Sequence, residues 1–159
     1  MITIRSITGA EIAIDAETLI GASLDGLSLH RAMLDGHDLT SAQFGRADLR
    51  SATLNNSTLV GADFSHAILI LAQLSHTRSG GANFRNSTAR YANFSGADLS
   101  GADFRGADLS GCDFSGACLD GAVLSKCIIE AVDWNGARYD HATQWPEGFE
   151  PVAHGAIQK

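Results

Sequence analysis

Proline is nearly absent from this chain, with two residues among 159. Charge is sparse at 18% of residues, and aromatic residues make up only 7%. Basic residues are outnumbered, 11 against 18 acids, for a net charge of −7. That balance argues against a general nucleic-acid binder, whose domain would be basic. Low charge together with 45% hydrophobic content excludes a disordered chain. Three cysteines, Cys112, Cys118 and Cys127, suggest no disulfide framework, and a reducing compartment fits them best. The longest apolar run, Ala67 to Ala72, is far too short to span a membrane. The opening residues Met1–Arg5 lack the basic and apolar regions of a secretory leader. The expectation is a cytoplasmic protein that contacts neither membrane nor nucleic acid directly.

Glycine, in contrast, is plentiful at 17 residues, and its placement is periodic. Stepping by five from Leu19 to Tyr139 gives 25 positions, of which 23 are large and apolar; the exceptions are Ser79 and Ala89. Two residues before each centre stands Ala, Ser, Thr or Cys at 21 of the 25 positions. Twelve of the glycines fall two residues after a centre. A period of five matches neither a helix nor a flat strand, so the chain must turn once per repeat. One large and one small residue point inward in each repeat, and glycine sits at the corner, where it relieves backbone strain. Stacked coils of this kind bury an inner column and leave the other positions to solvent.

The copies Ala97-Asp98-Leu99, Ala102-Asp103-Phe104 and Ala107-Asp108-Leu109, with Ala47-Asp48-Leu49 and Ala62-Asp63-Phe64, resemble the A-(D/N)-L-x-x motif of the pentapeptide-repeat family. The resemblance implies an all-β fold, a right-handed quadrilateral parallel β-helix with twenty residues per coil and about six to seven coils. Residues 19–140 would form this solenoid. Residues 1–18, where Ile2, Ile4, Ile12 and Ile14 alternate, would form an N-terminal cap as a short strand or hairpin. Residues 141–159 would form a C-terminal capping tail, with Trp145 and Phe149 folded over the last coil. Ser79 and Ala89 oppose each other in one coil. Either Phe84 and Phe94 lean into the space they leave, or the Thr77–Gly81 segment bends inward.

No catalytic residue, cofactor site or metal site is expected. No nucleophile elbow, phosphate loop or dinucleotide fingerprint is present, and the cysteines share no ligand spacing. The run Asp98, Asp103, Asp108, Asp113 rings one coil rather than forming a stripe along the rod. A stripe needs a spacing of 20, and among these only Asp113 and Asp133 stack directly. Charge is uneven: residues 41–90 hold two acids and five arginines, net +3, and residues 91–140 hold eight acids and three bases, net −5. Some members of the resembling family mimic DNA and bind DNA gyrase, which makes gyrase the sharpest candidate for a protein partner. Those binders tend to dimerise through a C-terminal helix, for which Pro146, Gly148 and Pro151 leave little room.

The candidate interface is elsewhere. Ile68, Ile70 and Leu71 occupy three outward positions of one repeat, and Tyr91 lies twenty residues beyond Leu71. Arg50 and Arg90 flank Ile70, and Arg31 shares the face. Apolar side chains clustered on a polar rod mark a contact surface, and Tyr and Arg are enriched in binding hot spots. The function expected is therefore a non-catalytic scaffold for protein–protein interaction, with a homodimer through the apolar patch as one use of it. The alternatives are a self-associating structural rod with no specific partner, or a ligand-binding or catalytic β-helix.

Overall fold

Each repeat carries one bend. In the computed structural model, which describes residues 1–159, φ is positive two places after every centre from position 21 to position 136. Twelve of these corners are glycine and twelve are not. The next residue's N–H donates back to the carbonyl of the centre, as Ala62 does to Leu59 and Ala102 to Leu99, both at 3.0 Å. Positive φ at the third residue with this closing bond is the signature of a type II turn. Four such turns bring the chain back above its starting point.

Between corners, each residue just before a centre pairs in parallel with its counterpart twenty places on. These bridges continue from Ser23 with Gln43 to Cys118 with Arg138. The bonds alternate in direction: Leu24 N–H donates to the Gln43 carbonyl at 2.7 Å, and Gln43 N–H donates to the Ala22 carbonyl at 2.9 Å. The result is a four-sided parallel β-helix. Its first face has Leu24, Phe44, Phe64, Phe84, Phe104 and Leu124 inside; its second has Leu29, Leu49, Leu69, Ala89, Leu109 and Ile129. The third has Leu34, Leu54, Leu74, Phe94, Phe114 and Trp134, and the fourth runs from Leu19 through Ser79 to Tyr139.

The rungs set the spacing of the core. Phe44, Phe64, Phe84 and Phe104 stack with centroids 4.7, 4.9 and 4.8 Å apart and planes within 4° of parallel. That is the strand spacing itself. Across the coil, Phe94, Phe114 and Trp134 form a second stack, and the two meet edge to face, as Phe84 and Phe94 do at 5.6 Å. Edge-to-face and stacked pairs both suit the ring quadrupole.

The expected distortion at Ser79 and Ala89 does not occur. Ser79 and Gly81 N–H groups keep their rung bonds to Asp98 and Ser100, at 2.7 and 2.8 Å. The Phe84–Phe94 contact matches the 5.8 Å contact of Phe94 with Phe104 one step further, so the rings do not lean. The reason is local polarity. Ser79 Oγ donates to Thr77 Oγ1 at 2.9 Å, and Thr77 Oγ1 donates to the Leu74 carbonyl at 2.9 Å. Thr in the small inward position restores part of the volume that Ser removes from the large one. Opposite, Cys112 Sγ donates to the Ala89 carbonyl at 2.8 Å.

Both ends are closed by segments outside the five-residue rule. Strand β1 (Ile2–Arg5) pairs antiparallel with β2 (Glu11–Ile14), setting Ile2 opposite Ile14 and Ile4 opposite Ile12. The hairpin joins the first coil where Met33 N–H donates to the Arg5 carbonyl at 2.7 Å. At the far end the register slips: Val123 pairs with Gln144, twenty-one places on. Strand β3 (Arg138–Tyr139) then pairs in parallel with β4 (Ile157–Gln158), after a 3₁₀ turn over Pro151–His154. Trp145 packs edge-on against Trp134 and Tyr139, at 5.0 and 5.3 Å, and Phe149 lies 5.2 Å from Trp145.

Candidate functional site

Outward side chains stand on the residues immediately before and after each centre. On the second face the preceding positions read Ser28, Asp48, Ile68, Thr88, Asp108, Ile128, and the following ones His30, Arg50, Ile70, Arg90, Ser110, Glu130. Parallel bridges join Asp48, Ile68, Thr88, Asp108 and Ile128 in one column. Ile68 is 36% exposed, Leu71 52% and Tyr91 56%, whereas Ile70 is half-buried. The four side chains therefore share one side of the rod and the corner beside it.

Leu71 and Tyr91 take that corner with φ of 61° and 58°. A bulky side chain in left-handed backbone is strained, by about 1–2 kcal/mol. The other non-glycine corners are Arg, Ser, Asn, His and Lys, apart from Ala131. Two large apolar residues stacked at adjacent corners are thus an exception in this chain. The Tyr91 ring lies over Gly111 in the next coil, where a Cβ would overlap its Cδ1 and Cε1 atoms. The sequence signal for this was available: a bulky corner residue followed twenty places on by glycine. His76 over Gly96 and Asn86 over Gly106 repeat it.

The flanking arginines differ. Arg50 grips Asp48 with two bonds, Nε to Oδ1 at 2.9 Å and Nη2 to Oδ2 at 2.6 Å. This hydrogen bonding holds the Asp48 carboxyl below its ordinary range and the Arg50 guanidinium above its own. Arg90 is held less tightly, with Nε 3.8 Å from Asp108 Oδ2. Its guanidinium carbon lies 5.9 Å from the centre of the Tyr91 ring, within cation–π range. Arg31 takes the corner two coils below Leu71, at φ 58°.

The motif aspartates have a structural task that sequence reading missed. Asp63, Asp98, Asp103, Asp108, Asp113 and Asp133 each accept, through Oδ1, the N–H of the residue two places on, at 2.8–3.1 Å. Those N–H groups lie outside the rung ladder, so the carboxylate closes an Asx turn over them. At Ser100 and Ser110 the hydroxyl donates to the same oxygen at 2.6 Å. Along the axis, Asp98 is followed by Cys118 and Arg138, and Asp108 by Ile128.

No three His, Cys, Asp or Glu side chains converge as metal ligands would. Burial pushes the Cys112 and Cys127 thiols up to about 12, which makes them inert as nucleophiles at neutral pH. A groove of about 300 Å³ lies between the hairpin and the first coil, floored by Ile4, Leu19 and Leu34 and rimmed by Arg5, Asp35 and His37. On the first face, Arg85 and Arg105 both pair with Asp103, beside Lys126.

The family model for pentapeptide repeats matches this chain in eight copies, spread over residues 18–125 in overlapping segments. The chain belongs to the pentapeptide-repeat family. A pentapeptide repeat protein from the Arabidopsis thaliana thylakoid lumen is 30% identical, with a TM-score of 0.60 over 61% of this chain and 68% of its own. A trypsin-treated form of QnrB1, a plasmid-mediated fluoroquinolone resistance protein, is 16% identical, with a TM-score of 0.66 over 92% of this chain and 88% of its own. At that identity the likeness to QnrB1 is one of fold. No curated protein matches the sequence. Within the pentapeptide-repeat shaft, Ile68, Ile70, Leu71 and Tyr91 cluster on two adjoining coils, whereas the other exposed large apolar residues of the shaft, Ile20, Met33, Val60 and Ile128, are scattered over three faces.

Proposed function

We propose that this pentapeptide-repeat protein is a non-catalytic scaffold that binds a macromolecular partner through its second face. The observation that carries the reading is the pair Leu71 and Tyr91, two bulky apolar residues held exposed in left-handed backbone where half the corners are glycine. Ten other non-glycine corners share this backbone, so what sets the pair apart is apolar bulk held in solvent, the mark of a contact surface. The flat rod, built from small and polar surface residues, supports the reading by offering a rigid platform. Affinity capture from host cells with the parent and with Ile70→Asp tests it. A partner enriched by the parent and lost by the variant supports the scaffold. Identical captures refute this face as the binding surface.

A second reading makes the protein a DNA mimic that binds DNA gyrase. The net charge of −7 favours it. The Asx turns and the interruption of the aspartate columns by Cys118, Ile128 and Arg138 favour the first reading instead. Supercoiling by purified gyrase separates the two: we expect no change on adding equimolar protein. Inhibition there would install the mimic in place of the apolar-face scaffold.

A further inference from the structure

We propose that the partner on the second face is a second copy of this chain, side by side and pointing the same way, related by a two-fold axis parallel to the rods. The proposal rests on the reading of this face as a binding surface and names the occupant.

The argument is one of charge register. A two-fold axis along the rods lays each rung of one copy against the same rung of the other, with left and right exchanged. Ile68 then meets Ile70 of the second copy, and Ile70 meets Ile68. One rung below, Asp48 faces the second copy's Arg50 and Arg50 faces its Asp48, so two in-chain ion pairs stack as opposed dipoles. One rung above, Arg90 faces Thr88, diagonally below Asp108, the carboxylate it already approaches in its own chain. Leu71 and Tyr91 reach across to the opposite corner, which carries His66 and Asn86.

Antiparallel packing fails the same inspection. Centred on the Ile68 rung, it sets Arg50 against Arg90 twice. Shifted to lay Leu71 on Tyr91, it sets Asp48 against Asp108 twice. Like charges directly opposed at an interface are disfavoured. A few rungs of one face, each about 4.8 Å high, bury well below the roughly 800 Å² per partner of a standard interface. The dimer is accordingly weak and reversible.

Sedimentation equilibrium from about 10 µM to about 1 mM tests this. The parent is expected to pass from 16.7 kDa toward twice that mass. Ile70→Asp should stay monomeric, with an unchanged circular dichroism spectrum. Arg50→Asp should weaken association by about tenfold or more, because a carboxylate at position 50 would face Asp48 of the second copy. Exchanging the pair, Asp48→Arg with Arg50→Asp, should restore it. A parent that remains monomeric at about 1 mM overturns the proposal while leaving partner capture as a separate test. Strengthening by Arg50→Asp alone overturns the parallel arrangement, since only antiparallel packing sets residue 50 against Arg90.

Discussion

Phe64 shows what a single position contributes in a stack. It has a parallel ring on each side, at 4.7 and 4.9 Å, and no solvent exposure. Phe64→Ala should cost about 3–5 kcal/mol in urea unfolding, because rungs fixed by backbone bonds cannot close the gap. A loss below about 1 kcal/mol would remove Phe64 from the core. Corner glycines test the Tyr91 placement. Gly101, at φ 67°, has open space where a Cβ would stand, so Gly101→Ala should cost only the conformational term, about 1 kcal/mol. Gly111→Ala, at φ 70°, must also displace the Tyr91 ring and should cost more. Equal losses at both sites would show that Tyr91 does not rest on Gly111. Thiol reactivity gives a third check. Cys118 is half-buried on the fourth face, whereas burial pushes Cys112 and Cys127 up to about 12. One thiol per native chain should react with iodoacetamide near neutral pH, mapping to Cys118, and all three should react once the chain unfolds.

The elements that end the rod depend on side chains more than the coils do. Where Gly101 N–H finds the Asp120 carbonyl one coil up, Gly121 N–H finds the Asp140 carboxylate at 2.9 Å. That oxygen also accepts from Ala142 and Thr143 N–H, at 3.0 and 3.1 Å. The Gly121 bond is the chief reason that the Asp140 carboxyl lies below its ordinary value. A depressed carboxyl stabilises the fold above its ordinary titration range and ceases to do so as pH falls through the folded value. Lowering pH from about 5 to about 2 should therefore reduce the amide protection factor at Gly121, taken against the intrinsic exchange rate at each pH, before those of the central coils. Asp140→Asn keeps an acceptor oxygen and should flatten that pH response; an unaltered response would assign the effect to another group. Side chains also preserve the coil at Thr77 and Ser79. A lapse in the repeat was visible there in the sequence, but the coil stays regular because two hydroxyls hydrogen-bond in series to a carbonyl.

At the scale of the whole molecule, the rod is electrically lopsided. Arg46, Arg85, Arg105 and Lys126 outnumber Asp25, Asp63 and Asp103 by one on the first face and its corner, and Arg31, Arg50 and Arg90 balance Asp48, Asp108 and Glu130 on the second. The third face carries Asp35, Asp113 and Asp133 and no Lys or Arg. The sums over chain segments that suggested an acidic C-terminal half do not describe this, because each coil contributes to all four sides. Cooperative unfolding should be insensitive to the exposed patch. Ile70→Asp removes a half-buried side chain from the surface, and its melting temperature should stay within a few degrees of the parent's, consistent with a surface change of about 0.5 kcal/mol. A large drop would make Ile70 part of the fold rather than of an interface.

The sequence by itself determined the coil: the period of five, the inward and outward positions, the corner and the twenty-residue stacking. It could do so because every repeat restates the same local rule, so an error at Ser79 or Ala89 is outvoted by its neighbours in register. Alternation marked Ile2, Ile4, Ile12 and Ile14 as a strand or hairpin cap, but the register that sets Ile2 opposite Ile14 and Ile4 opposite Ile12 was decided by the structure. Placing Ile68, Ile70, Leu71 and Tyr91 on one side needed only counting. What each outward atom meets was decided by the tertiary structure. Rotamers send the Tyr91 ring onto Gly111 and close Arg50 on Asp48, and the spare N–H groups draw the aspartates into Asx turns. The slip to a spacing of twenty-one at Gln144 belongs to the same class. At an end there is no next coil to impose the register, and the aromatic packing of Trp145 on Trp134 and Tyr139 sets it instead.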